Sequence, residues 1–215
     1  RSLPHNQYLA YAQMLYLLYD ATEGVAAYAA DRPLYKSRAN DMERAFKSTL
    51  IAHPLNALLG TDAYLWNYWD SFGAWDNGHY ADYHQEDISH AGLTMAGAVE
   101  AYHQGQVFTF EDMAKLTRTF TDVMWNGSLS EPVLSYYNSR QPLVTVDKTN
   151  TNRFHFWTHF AEFDTLVKDI ANAVCEADGC PTVMASGVAK WSGNKVVNSG
   201  FEQADPSDVT LPQRW

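Results

Sequence analysis

The densest chemistry in the chain lies between Trp75 and His90, where Asn77, His79, Tyr80, Tyr83, His84, Glu86, Asp87 and His90 fall within fourteen positions. Imidazoles, phenols and carboxylates packed this closely can pass protons. His84 or His90 would abstract one, while Tyr80 or Tyr83 would deliver one to a leaving oxygen. The same residues allow a second reading, in which His84, His90 and Glu86 or Asp87 ligate a divalent ion. The spacing His-x-Glu-Asp-x-x-His is not the zinc-protease arrangement, so no cofactor is expected in the first instance. A third reading assigns Glu86 and Asp87 to a favourable first helical turn and the histidines to buried hydrogen bonds.

A second set is His155, His159 and Glu162, spaced to share one face of an α-helix beside Trp157. His53, followed by Pro54, reads as the close of a helix. Around the first cluster, Trp66, Trp69 and Trp75 alternate with Asp62, Asp70, Asp76 and Asp82. Flat apolar faces mixed with carboxylates and amides suit a sugar, the rings covering C–H groups while the polar groups bind hydroxyls. The plainer alternative is that these tryptophans cap the core. No phosphate-cradling glycine loop, nucleophile elbow or catalytic-cysteine context is present.

Helical elements must position these residues. Tyr8, Ala12, Leu15 and Tyr19 recur at helical spacing from His5 to about Tyr19, with Gly24 as a stop. A second helix is expected from Pro33 through Met42, Phe46 and Leu50, carrying Lys36, Arg38, Arg44 and Lys47 on its exposed side. Residues 61–83 read as a functional loop. Helices then follow over about Gln85–His103, ended by Gly105, and from the cap Thr109 through Met124 to Asn126 and Gly127. Residues 128–152 form a long connection with a β-like run at Leu143–Val146, and a last helix spans about Arg153–Cys175. From Pro181 the periodicity disappears around a short Val196–Val197 strand candidate. The expected class is all-α: antiparallel helical hairpins over residues 1–180, then an irregular or β tail over 181–215.

The 215 residues carry 15 Lys+Arg against 25 Asp+Glu, a formal charge of −10, with 46% hydrophobic residues and 14% aromatics. That apolar content supplies a core, and the charge opposes nucleic acid and anionic membranes as partners. The longest apolar runs, Met14–Tyr19 and Val25–Ala30, fall far short of a membrane span. No signal-peptide pattern opens the chain, and Arg1 fits a processed product. Cys175 and Cys180 are spaced for a small disulfide loop at a helix end, which fits an exported protein that is secreted, periplasmic or at the cell surface.

The helical hairpins, with Asn77 to Tyr80 and His84 to His90 at an aromatic mouth and Phe108 to Asp112 at the next turn, resemble the (α/α) toroid domains of polysaccharide lyases and some glycoside hydrolases. The resemblance covers about 60 residues. It implies Asn77 neutralising a uronate carboxylate, His79 or His84 as base, Tyr80 or Tyr83 as acid, and a partial toroid, since the helices are fewer than in a closed ring. The stretch Val197 to Glu202, followed by Leu211 to Trp215, resembles the opening of β-sandwich carbohydrate-binding modules and implies a larger multidomain chain. Together these imply a lyase acting by β-elimination on a uronic-acid glycan. An inverting hydrolase using two of Asp70, Asp76, Glu86 and Asp87, or a non-catalytic glycan-binding module, is the alternative. An acidic chain that holds an acidic polymer needs local donors such as Arg140, Lys148 or Arg153, with His155 and His159 beside them.

Overall fold

A computed structural model describes residues 3–56, 61–69, 86–138 and 154–178. These are mostly helical, with one two-stranded sheet. The helices are α1 (His5–Ala21), α2 (Arg32–Thr49), α3 (Ile88–His103), α4 (Phe110–Arg118) and α5 (Leu166–Asp178), and the strands are β1 (Ile51–Asn56) and β2 (Thr61–Leu65). No helix among the described residues is long and apolar enough to cross a membrane.

Side-chain contacts give the helix directions. Between α1 and α2, His5 meets Phe46, Tyr16 bonds Asn40 and Tyr19 lies under Arg32, so the two run antiparallel. Along α1 and α3, Leu9 lies near Gly97 and Gln104 reaches Asp20, so these run parallel. Helix α3 is the central element. It is buried nearly all round because its inward residues are small: Ala91, Gly92, Ala96, Gly97, Ala98 and Ala101. A Cβ at Gly97 would stand 2.9 Å from a Glu43 carboxyl oxygen, so glycine there lets α2 approach. One expected apolar stripe on α3 is thus a nearly continuous apolar surface.

Local signals worked where they were strong. Thr109 and Asp112 form a reciprocal capping box at the start of α4. Gly105 takes a φ of +75° at the turn after α3, a conformation that side chains disfavour. Beyond Arg118, α4 runs directly into a π-helical turn, Thr119–Met124, so the expected extent holds but the last turns are wide.

Three expectations are corrected. His53 and Pro54 do not close a helix. They lie in β1, which pairs antiparallel with β2 through Ile51 and Leu65, Ala52 and Tyr64, and His53 and Ala63. A two-stranded ribbon leaves each strand an outer edge, where the missing proline N–H is tolerated. The start of the expected loop at 61–83 is strand β2, with Ala63 and Leu65 facing the core. Its other face is tied to α4, where Tyr64 donates to Asp112 at 3.2 Å and Lys115 pairs with Asp62 at 3.3 Å. The last helix is broken: His155–Glu162 is a 3₁₀ helix, and α5 begins only at Leu166, where Asp164 accepts its N–H.

The core joins these pieces through stacked rings. Trp66 lies edge-on to Phe46 at 5.8 Å and stacked with Trp157 at 6.3 Å, and Trp157 stacks on Phe120 at 5.3 Å. Each such pair adds about 0.5–1.5 kcal/mol beyond the area it buries.

Candidate functional site

The site forms where the segment leading into α3 meets the chain leaving β2. Asp87 is the N-cap of α3. Its backbone is extended (φ −71°, ψ 158°), and its Oδ1 accepts from the N–H groups of Ser89 and His90. The second oxygen, Oδ2, takes Nδ1 of His90 in a short contact. One carboxylate therefore starts the helix and orients the imidazole. Burial pushes Asp87 up, but the bonds from Ser89 and His90 outweigh it and hold the carboxyl below its ordinary range. Asp87 accepts best from an Nδ1–H, the tautomer that leaves the lone pair on Nε2, and the ring is 43% exposed.

Tyr68 packs against this imidazole, ring centres 5.4 Å apart, and Trp69 lies edge-on to Tyr68 at 4.4 Å. Burial first, then the carboxyls of Glu86 and Asp87, raise the Tyr68 phenol. It stays protonated at neutral pH and can donate. An imidazole oriented by Asp87 and a protonated phenol thus pack together, with a second aromatic side chain beside them.

Glu86 faces the other way. It precedes α3 and is wholly buried, accepting from Trp66 Nε1 at 2.5 Å and from Thr94 Oγ1 at 2.9 Å. The Asn6 N–H also reaches it. Burial raises its carboxyl to about 8, against the opposing hydrogen bonds of Trp66 and Thr94. Asn138 closes the arrangement: its side chain accepts from the Glu86 N–H at 3.0 Å and donates to the Trp66 carbonyl at 3.1 Å.

The expected one-face pairing of Glu86 with His90 is therefore corrected. The helix starts at Ile88, so Glu86 points inward to Trp66 and Thr94 while His90 points outward. A wholly buried Glu86 cannot touch substrate, and its two oxygens are taken by donors rather than turned toward His90 and a metal. Among the described residues, no group of three or more His, Cys, Asp or Glu could hold a metal ion. Trp66 is corrected likewise. It is wholly buried with its indole N–H on Glu86, so it is a core ring and offers no face to a sugar.

The stripe of His155, His159 and Glu162 is also split. At three residues per turn, a four-residue spacing no longer aligns His155 with His159. Glu162 instead meets His103 at 3.1 Å, and the His155 ring lies 4.0 Å from Phe156. Both histidines are half-buried. Asn77, His79, Tyr80, Tyr83, His84, Trp75, Arg140 and Arg153 lie outside the described residues, as do Asp70, Asp76, Lys148, the Leu143–Val146 run and the 181–215 tail. Cys175 on α5 is not a free thiol. Its expected partner Cys180 lies outside the described residues, and their pairing stays a proposal.

Tyr68 is the residue the sequence reading missed. Nothing in the sequence singles it out within residues 61–83, where the phenols nearest the histidines are Tyr80 and Tyr83. Comparison with family models, curated proteins and solved structures gives no match.

Proposed function

We propose that the chain is a helical carbohydrate-active domain, part of an (α/α) toroid, that cleaves a uronic-acid-containing glycan by β-elimination. The observation that carries this is the Asp87–His90 dyad packed against a protonated Tyr68. His90 Nε2 takes the proton from C5 of the uronate. The C5–H electrons become the C4–C5 double bond, the C4–O bond breaks, and the departing oxygen takes the Tyr68 proton. Asp87 fixes the tautomer and stabilises the imidazolium that forms. Trp69 supplies an aromatic side chain beside the dyad, and Asn77 is proposed to neutralise the uronate carboxylate.

Two of the four carboxylates that hydrolysis would use are committed elsewhere, and the other two, Asp70 and Asp76, lie outside the described residues. Inversion requires two carboxyls flanking the bond with room for water, whereas Glu86 is sealed in the core and Asp87 is engaged in capping and in holding His90. Export with a Cys175–Cys180 loop, and membership of a longer multidomain chain, belong to the same proposal.

The test compares wild type with His90→Ala and Asp87→Asn on uronans and neutral polysaccharides, reading the ultraviolet absorbance of unsaturated ends and, separately, reducing ends. Loss of the base lowers turnover by about 10²–10⁴-fold. Circular dichroism must show both variants folded. Reducing ends without ultraviolet absorbance, or full turnover in folded His90→Ala, overturns the reading. Binding without turnover in every form selects a non-catalytic module.

A further inference from the structure

A cavity of about 340 Å³ opens between α1, α2 and the turn after α3, lined among others by Tyr19, Arg32, Lys36, Asn40, Arg44 and Gln106. Its lining holds three cations and no carboxylate, on a chain of net charge −10. Arg32, Lys36, Asn40 and Arg44 are spaced four apart and form one stripe along α2, at about 6 Å per step of the helix.

The donors are held in place. Arg32 donates from Nε to the Tyr19 carbonyl at 2.8 Å, and its guanidinium lies 3.8 Å over the Tyr19 ring. Lys36 lies over the same ring at 4.8 Å, and no carboxylate among the described residues pairs with it. Asn40 is buried and bonded at both ends, accepting from Tyr16 at 2.9 Å and donating to Gln106 Oε1 at 2.5 Å. That bond turns the Gln106 amide so that its Nε2 donor is left over. Two carboxylates stand at the rim: Glu23, 76% exposed and 3.8 Å from Arg32, and Asp41, 68% exposed and 3.0 Å from Arg44. Water screens both, and each engages one nitrogen of its arginine.

We infer that this pocket is a distal subsite that holds the carboxylate-bearing glycan away from the dyad. The inference rests on the glycan reading above. Helix α1 joins the two places: the His5 N–H bonds the Tyr68 carbonyl at one end, and Tyr19 forms the pocket wall at the other. The fourteen helical steps from His5 to Tyr19 span about 21 Å. A row of cations at helical steps suits a polymer carrying a charge on each residue, and it supplies the local donors that an acidic chain needs in order to hold an acidic polymer.

The experiment measures calorimetric binding of polygalacturonate and alginate to the intact chain, with dextran as the neutral control and sodium sulfate as the simple anion. The proteins compared are wild type, Lys36→Glu/Arg44→Glu, Lys36→Gln and His90→Ala. A uronan is expected to bind wild type and His90→Ala alike. The double variant should bind at least about tenfold more weakly at low salt, Lys36→Gln should fall between, and dextran should not bind. On a polymer that is turned over, the double variant should raise KM and leave kcat unchanged. Uronan binding unaltered in the folded double variant overturns the inference, as does sulfate binding without uronan binding. Cation-dependent uronan binding with no unsaturated product upholds the pocket and rejects the reaction. Unsaturated product with binding indifferent to Lys36 and Arg44 does the reverse.

Discussion

Glu86 is a buried acid whose protonation state is coupled to folding, and Glu86→Gln isolates that coupling. In the unfolded chain the carboxyl titrates near 4.5, and in the fold burial raises it to about 8. Between those values the folded protein keeps a proton that the unfolded chain gives up, so stability falls as pH rises. The contribution is intact below pH 4.5, erodes through the interval and levels off above about 8. At about 1.4 kcal/mol for each tenfold in proton activity, the full loss is about 5 kcal/mol, an upper bound for a group held by this many donors. Gln keeps the shape and an oxygen that accepts from both the Trp66 indole and the Thr94 hydroxyl, but cannot titrate. Urea unfolding of both proteins at several pH values from 4.5 to 8.5 reads the difference directly, because every other titrating group is common to both. Wild type should lose several kcal/mol relative to the variant across that range. Parallel pH profiles would refute the assignment of a protonated, buried Glu86.

Two further outcomes follow from the same packing. Glu43 is wholly buried with neither carboxyl oxygen hydrogen-bonded, and burial and then the Glu100 charge push its carboxyl well above the ordinary range. Glu43→Leu should therefore stabilise by about 1–3 kcal/mol, more at pH 8 than at pH 5, and urea unfolding that shows a loss at both pH values would count against it. Thr109→Ala removes one half of the α4 capping box and should cost about 1 kcal/mol, read as a lower urea midpoint with an unchanged slope.

Elements whose signals are local were readable from the chain. Pro33 sits in the first turn of α2, Thr109 caps α4, and α1 begins at His5 as the periodicity requires. What was not readable depends on partners distant in sequence. Pro54 argues against a strand until β2 is seen beside it. Trp66 has the composition of an exposed platform and becomes core only because Glu86 and Trp157, 20 and 91 positions away, close over it. In the site, the Asp87 and His90 pairing was within reach of short-range reasoning, since an N-cap and a residue three later share one turn. The inward turn of Glu86 and the arrival of Tyr68 were not, because both are set by contacts with α1 and with Asn138.

Asn138 has a consequence for how such a molecule can change. With one amide it holds the Trp66 carbonyl and the Glu86 N–H, so the two ends of the span between them are fastened together from outside that span. Closing a segment of this size adds only a slowly growing entropic charge as its length changes. The same knot keeps Asp87 and His90 in register with Trp66, Tyr68 and Trp69, so the placement of the dyad answers to Asn138 rather than to the number of residues between Trp69 and Glu86.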